Sequence, residues 1–484
     1  MKTRELFLKD PLSWSVANGG VSSNNSDDPE TLKYELSTFV CQGEYHTGLT
    51  RMVQGFLDSL GKEQKAAWVS GFYGSGKSHM VKVLRYLWTD HAIGDGNTSR
   101  SLVDLPNDLR DLLKELSTRG KQGVGLHAAG GTLKSGVGDV RLRVLAIVLK
   151  SVGLPEKLSI ARLMMDLRDE GKLDPLLESL TKAGKKPLTE FDQMYTSKVF
   201  QQAYLDAHPH LGSLKDVAAA LRNQYPTKVE EVSVADMLTV IRRALNRKGE
   251  LPCTVLVLDE IQQYINNDPD VALGVQEVVE ACQKELDGRV LVVGTGQSAL
   301  TDTPALQRIM GRFQVKVHLK DNDVEKVIRT VVLQKKTDKK EPIEKLVVTH
   351  SGEIARQLKA TKVATRPEDK DVYVSDYPLL PVRQRFWEKV LHSIDASGAT
   401  SQMRTQLRVI HEACRELADK PLGSVVPADF LYDQLAQDLV ISGEMQRRYQ
   451  EIIEAQKTKK DGDLRSRICA LVFLINKLPR QSAD

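Results

Sequence analysis

A parallel β-sheet wrapped by helices, with a helical insertion and a C-terminal helical domain, is the α/β architecture this 484-residue sequence predicts. Three observations predict it. A glycine-rich stretch, Gly71-Phe72-Tyr73-Gly74-Ser75-Gly76-Lys77-Ser78, lies between a short apolar run (66–70) and a segment with an apolar helical face (78–88). A second run, Thr254-Val255-Leu256-Val257-Leu258, is apolar or β-branched throughout and ends in Asp259-Glu260. Uninterrupted runs of that kind read as strands buried on both faces of a parallel sheet. The residues after 320 keep helical spacing almost throughout.

Taken in order, residues 1–60 form a leader and helices that pack on the core. A polar loop (21–30) leads to Asp28 or Ser26 as the cap of a helix through 31–36. A second helix over 50–60 carries Met52, Phe56 and Leu60 on one face. The core is expected over 61–320. It contains the strand–loop–helix at 66–88, a helix at 108–116, a strand at 123–129 flanked by the glycine-rich 130–138, and a helix at 141–152. Residues 153–248 are nearly all helical and read as an insertion, with stops at Gly171, Gly184, Pro209 and Pro226. Strands at 254–258, 289–297 and 314–319 complete the sheet. Residues 321–484 are a helical lid or C-terminal domain. Its first helix is capped by Asp321 or Asn322 and runs to Lys335, and the chain's end is expected to be a truncation of a longer protein.

Composition narrows the class. The chain has 41% hydrophobic and 27% charged residues, enough for large cores. Its 68 Lys and Arg against 64 Asp and Glu leave a net charge of +4, which neither requires nor excludes nucleic acid. The basic runs at 335–340 and 457–460 read as solvated charges. Five cysteines without metal-ligand spacing fit a reduced protein. With no apolar leader and no run long enough to span a bilayer, the expected location is the cytoplasm, with no membrane partner.

The glycine stretch matches G-x-x-x-x-G-K-[ST] in the strand–loop–helix context that gives this motif its meaning. Its glycines let backbone N–H groups turn inward on phosphates, and the following helix adds its N-terminal partial positive charge. Lys77 reaches for the β- and γ-phosphates, and Ser78 for a Mg²⁺ ion. Asp259 joins Ser78 in holding the metal, while Glu260 polarises the attacking water. The expected cofactors are therefore ATP and Mg²⁺, and the expected reaction is phosphoanhydride hydrolysis. The nucleotide-binding set is Gly71, Phe72, Tyr73, Gly74, Ser75, Gly76, Lys77, Ser78 and His79. Thr295 and Gln297, at the polar end of the 289–297 strand, are candidates to touch the γ-phosphate or water. Arg312, with Arg308 as second choice, precedes the 314–319 strand and is a candidate to reach a neighbouring subunit's site. Arg404, near the start of a later helix, is a candidate to fold back on the nucleotide.

These motifs in this order resemble the AAA+ and related additional-strand P-loop NTPases. The resemblance makes Gly71 to Ser78 a Walker A, Thr254 to Glu260 a Walker B, Thr295 and Gln297 sensor 1, Gly311-Arg312-Phe313 an arginine-finger segment and Arg404 sensor 2. A homo-oligomer with inter-subunit ATP sites follows from that resemblance. A narrower one rests on Asp27-Asp28-Pro29-Glu30-Thr31-Leu32, on Trp68 through His79, and on Tyr377-Pro378-Leu379-Leu380-Pro381. These are similar to segments of the BREX phage-defence P-loop ATPases (BrxC/PglY). That resemblance implies a longer protein that works with a DNA methyltransferase and a phosphatase-like protein, supporting host DNA methylation and phage exclusion. Two other readings stay open: a non-hydrolysing, nucleotide-gated scaffold, and an initiator- or loader-like ATPase with DNA as its partner.

Overall fold

A computed structural model describes residues 1–14, 28–71, 75–133, 139–229, 231–297, 304–357, 359, 361, 363–396, 406–441 and 443–478. Arg404, the Ser26 cap candidate, and Phe72, Tyr73 and Gly74 of the loop lie outside the described residues.

The first half of the chain builds α1 (Pro29–Ser37), α2 (Gly43–Asp58), β1 (Ala66–Gly71) and α3 (Lys77–Thr89). A small hairpin follows, β2 (Ala92–Gly94) and β3 (Asn97–Thr98), then α4 (Ser99–Leu102), α5 (Asn107–Gln122), β4 (Leu126–Thr132) and α6 (Val140–Ser151). Next come α7 (Leu158–Asp169), α8 (Leu173–Lys182), α9 (Pro187–Asp192), α10 (Lys198–Ala207), α11 (Leu214–Gln224) and α12 (Val234–Leu245). The sheet resumes with β5 (Cys253–Asp259), α13 (Ile261–Ile265), α14 (Pro269–Glu285), β6 (Val290–Gly296), α15 (Pro304–Ile309) and β7 (Phe313–Leu319). The remainder is helical: α16 (Asp321–Val331), α17 (Lys340–Gln357), α18 (Asp369–Asp376), α19 (Pro381–Ala396), α20 (Gln406–Glu416), α21 (Phe430–Ile441), α22 (Arg447–Gln456) and α23 (Gly462–Asn476).

Five strands form one parallel sheet in the order β4-β5-β6-β1-β7. β6 therefore sits between the glycine-loop strand and the strand ending in Asp259, which is the P-loop NTPase arrangement with an additional strand. Alternation along the strands divides the core into two layers. Ala66 and Trp68 join Leu256, Leu258, Val290 and Val292 in a cluster with α6 to α14. Ala67 and Val69 face the other way, with Val255, Val257, Leu291 and Val293, against α1, α2, α3 and α5. The helices of 158–245 thus share a core with one sheet face. A third core joins α16 to α19–α23.

Several local readings shift. Asp28 is the cap of α1, its Oδ2 accepting from the Thr31 N–H at 2.9 Å. α2 begins seven residues earlier than the 50–60 pattern indicates. Gly130 and Gly131 lie inside β4, not beside it, because parallel pairing with Val257 and Leu258 uses their backbone. The β2–β3 hairpin turns through Asp95 and Gly96, both at positive φ. α16 stops at Val331 instead of Lys335, because the chain beyond it is paired with the N-terminal residues. Leu8 N–H donates to Gln334 O at 2.7 Å, and Lys336 N–H to Leu6 O at 2.9 Å. Residues in the 1–14 segment pack in this way on the C-terminal helices. Thr3 N–H also donates to Lys420 O, and Phe7 enters the third core. Among the described residues no helix is long and apolar enough to cross a membrane.

Lys335 departs from the expected solvated basic run. It is buried, its Nζ donates to the carbonyls of Leu333 and Ser375, and it lies 4.9 Å from the Phe7 ring. Burial pushes its ammonium from 10.5 down to about 8. The unfolded chain keeps this proton across the interval between those values, so stability should rise with pH there. Paired denaturation curves between about pH 8 and pH 10 are expected to show the wild type gaining stability relative to Lys335→Met. Parallel curves would remove Lys335 from this account.

Candidate functional site at the carboxyl edge of the sheet

Parallel strands end on the same side, and here three ends carry the candidate residues. Ser70 of β1 is registered with Gly296 of β6, and Gly71 N–H donates to Gln297 O at 3.3 Å. The glycine loop and the end of β6 therefore touch through the backbone. Leu258 of β5 is registered with Gly294, and Thr132 of β4 with Asp259. Sheet pairing alone thus gathers Gly71, Thr295, Gln297, Asp259 and Glu260 along one edge, where ligands of open α/β sheets bind.

Side-chain bonds then fix the acids. Thr295, fully buried, donates its hydroxyl hydrogen to Asp259 Oδ1. Its Oγ1 in turn accepts the Glu260 N–H at 2.9 Å. Glu260 N–H also lies 3.1 Å from Asp259 Oδ1, and Glu260 Oε2 accepts from Thr132 Oγ1 at 3.0 Å. Glu260 adopts φ 60° and ψ 36°, a left-handed conformation that costs a non-glycine residue energy. Backbone and side chain of Glu260 are therefore held against that strain by two threonines from two other strands.

The described part of the loop has the features of a phosphate cradle. Gly76 sits at φ +81° as the N-cap of α3, so Lys77 and Ser78 occupy the helix's first two positions. Lys77 Nζ donates to Gly71 O at 2.8 Å, folding over its own loop. Ser75 is fully buried, and its Oγ has no hydrogen-bond partner among the described residues. An orphaned buried hydroxyl, an ammonium folded over its own loop and a helix N-terminus fit a phosphate. Ser78 and Asp259 are hard oxygen donors that fit a Mg²⁺ ion, which takes few protein ligands.

His79 is placed differently from the loop residues. Its ring meets Phe39 edge-on at 5.4 Å, and Nε2 lies 3.2 Å from Glu35 O. Burial holds it below its ordinary pKa. Together with the buried Lys82–Glu35 ion pair at 2.6 Å, it fastens α1 onto α3. Arg312 pairs with Glu280 of the same chain at 2.7 Å, ahead of β7 and so at the opposite edge of the sheet from the loop. Arg308, one turn earlier, is exposed and makes no ion pair among the described residues. Thr132 and Tyr45 reach the site without a motif. The signal for Thr132 is a hydroxyl residue ending a strand beside β5.

No family model matches the chain. A solved structure of the Aeropyrum pernix Orc1 protein in complex with DNA aligns over 86% of this chain and 90% of that one, at 14% sequence identity and a TM-score of 0.31. At that score the likeness is too loose to argue from. The strand order and the loop carry the fold class.

Replacing Thr295 by Val keeps the branched shape and deletes both hydroxyl bonds. The Glu260 amide should exchange faster with deuterium, and stability should fall by about 1–3 kcal/mol. Thr295→Ser should retain both properties. Unchanged exchange at Glu260 in the Val variant would refute this role for the hydroxyl.

Proposed function

We propose that the protein binds and hydrolyses ATP with Mg²⁺ between the glycine loop and the Asp259-Glu260 pair. The observation that carries this reading is the Thr295 hydroxyl bonded to both acids, with Gln297 of the same strand end on the loop backbone. In this reading the loop amides and Lys77 bind the phosphates. Ser78 and Asp259 hold the metal, whose charge offsets that of the β- and γ-phosphates. Glu260, aimed by Thr132 and Thr295, orients a water and accepts its proton. Gln297, just after β6, is the candidate to contact the γ-phosphate.

An arginine from a second copy completes such a site in the same reading, making the working form a homo-oligomer with shared sites. Arg308 suits that role better than Arg312, since Arg312 is already engaged by Glu280. The narrower reading is a cytoplasmic ATPase of a BREX defence complex, working with a methyltransferase and a phosphatase-like protein. It rests only on the resemblance of the 27–32, 68–79 and 377–381 segments.

Lys77→Ala is expected to abolish tight ATP binding in calorimetry, whereas Glu260→Gln keeps binding and loses turnover by at least about a hundredfold. Equal loss of binding in both variants would count against the assigned roles. For the shared site, mixing Arg308→Ala with Glu260→Gln protein should recover hydrolysis that neither shows alone. No recovery at any mixing ratio would exclude Arg308.

A further inference from the structure

Tyr45 stands in the first turn of α2, almost fully buried. Its hydroxyl donates to the Ser75 carbonyl of the glycine loop at 2.6 Å. Burial, reinforced by the Asp323 carboxylate, pushes the phenol well above its ordinary pKa, so it stays a donor. The peptide between Ser75 and Gly76 is planar and trans, so its carbonyl and its N–H point in opposite directions. Holding the Ser75 oxygen against Tyr45 therefore turns the Gly76 N–H away from α2. The fit is close, since a Cβ on Gly76 would come within 3.0 Å of the Tyr45 hydroxyl.

The same turn of α2 is joined to the C-terminal helices. Glu44 N–H donates to Asp323 Oδ1 at 3.1 Å, and Lys320 N–H to Asp323 Oδ2 at 3.2 Å. One buried carboxylate thus caps the first turns of both α2 and α16. Gly43 permits this approach: it sits at φ +57°, and a Cβ there would lie 2.3 Å from Asp323 Oδ1. The contacts run without a gap from Ser75 through Tyr45 and Glu44 to Asp323.

We propose that Tyr45 and Asp323 are positioning residues that set the glycine loop for phosphate and transmit its occupancy to α16. This rests on the nucleotide reading of the loop. Tyr45 presents the Gly76 amide, and Asp323 ties the turn bearing Tyr45 to the helical domain. A phosphate that shifts the Ser75–Gly76 peptide pulls on α2 and, through the shared carboxylate, on α16.

The test is a double-mutant cycle with Tyr45→Phe, Asp323→Asn and the double variant. It is read by calorimetry with Mg²⁺-ATP and by hydrogen exchange on the nucleotide-free protein. Tyr45→Phe should weaken ATP binding about fivefold to tenfold and speed exchange at Gly76, because the Ser75 carbonyl loses its donor. Asp323→Asn, which keeps the side chain's shape, should speed exchange at Glu44 and Lys320. The two losses of affinity should be non-additive. Wild-type affinity in Tyr45→Phe, strict additivity, or a lowered melting temperature with unchanged affinity would overturn the proposal while leaving the nucleotide reading intact. If the wild type binds no ATP, both fall together.

Discussion

Parallel pairing of β1 with β6 and β7 is the constraint on which the rest depends. Because all five strands run the same way, their ends meet at one edge, and no side chain has to search for its partner there. Ser70 against Gly296 sets the loop beside Gln297, and Leu258 against Gly294 sets Asp259 below Thr295. A slip by one residue in either pairing would turn Thr295 to the other face, leaving Asp259 without its hydroxyl donor and the Glu260 N–H without the threonine acceptor. The two apolar layers resist such a slip. Trp68 and Val69 face opposite cores, and neither tolerates the other's surroundings.

Much of this is written in short-range chemistry. The loop and the Asp259 strand are legible because glycine spacing, an apolar run and a terminal acid are properties of neighbouring residues. Asp28 is legible as a cap for the same reason. Thr295 can be listed as a polar residue at a strand end, yet its bonds to Asp259 and Glu260 follow only from the order of strands. Thr132 is hidden because Gly130 and Gly131 mask the strand that carries it. Tyr45 and Asp323 lie far apart in sequence, and the turn bearing Tyr45 meets Asp323, through the Glu44 N–H, by tertiary packing alone. Arg312 shows the converse: the local pattern offers it to a neighbouring subunit, and its pairing with Glu280 of the same chain follows only from the fold.

The acids are held rather than merely present. Glu260 keeps a left-handed backbone because its amide has two acceptors and its carboxylate has a hydroxyl donor. Strain persists where surrounding bonds over-determine it, and such places are suited to holding a group in one orientation. On the other flank, the Lys82–Glu35 pair and the His79–Phe39 contact pin α1 to the helix that opens at the loop. Removing either charge of that buried pair would leave the other uncompensated, so this flank is specified as tightly as the edge itself.

The placement of Leu6 and Phe7 has a consequence for synthesis. Both are synthesised long before their partners: Phe7 bridges to Lys335, the Leu6 carbonyl accepts from the Lys336 N–H, and Leu6 packs with Leu422. At about 5–20 residues per second, those partners emerge roughly 20–80 s later. Throughout that interval the nascent chain carries two bare apolar side chains while the sheet that follows them in sequence can already close. The joining of this segment to the helical domain is thus a highly non-local step of assembly, and it exposes the growing polypeptide to capture by holdases.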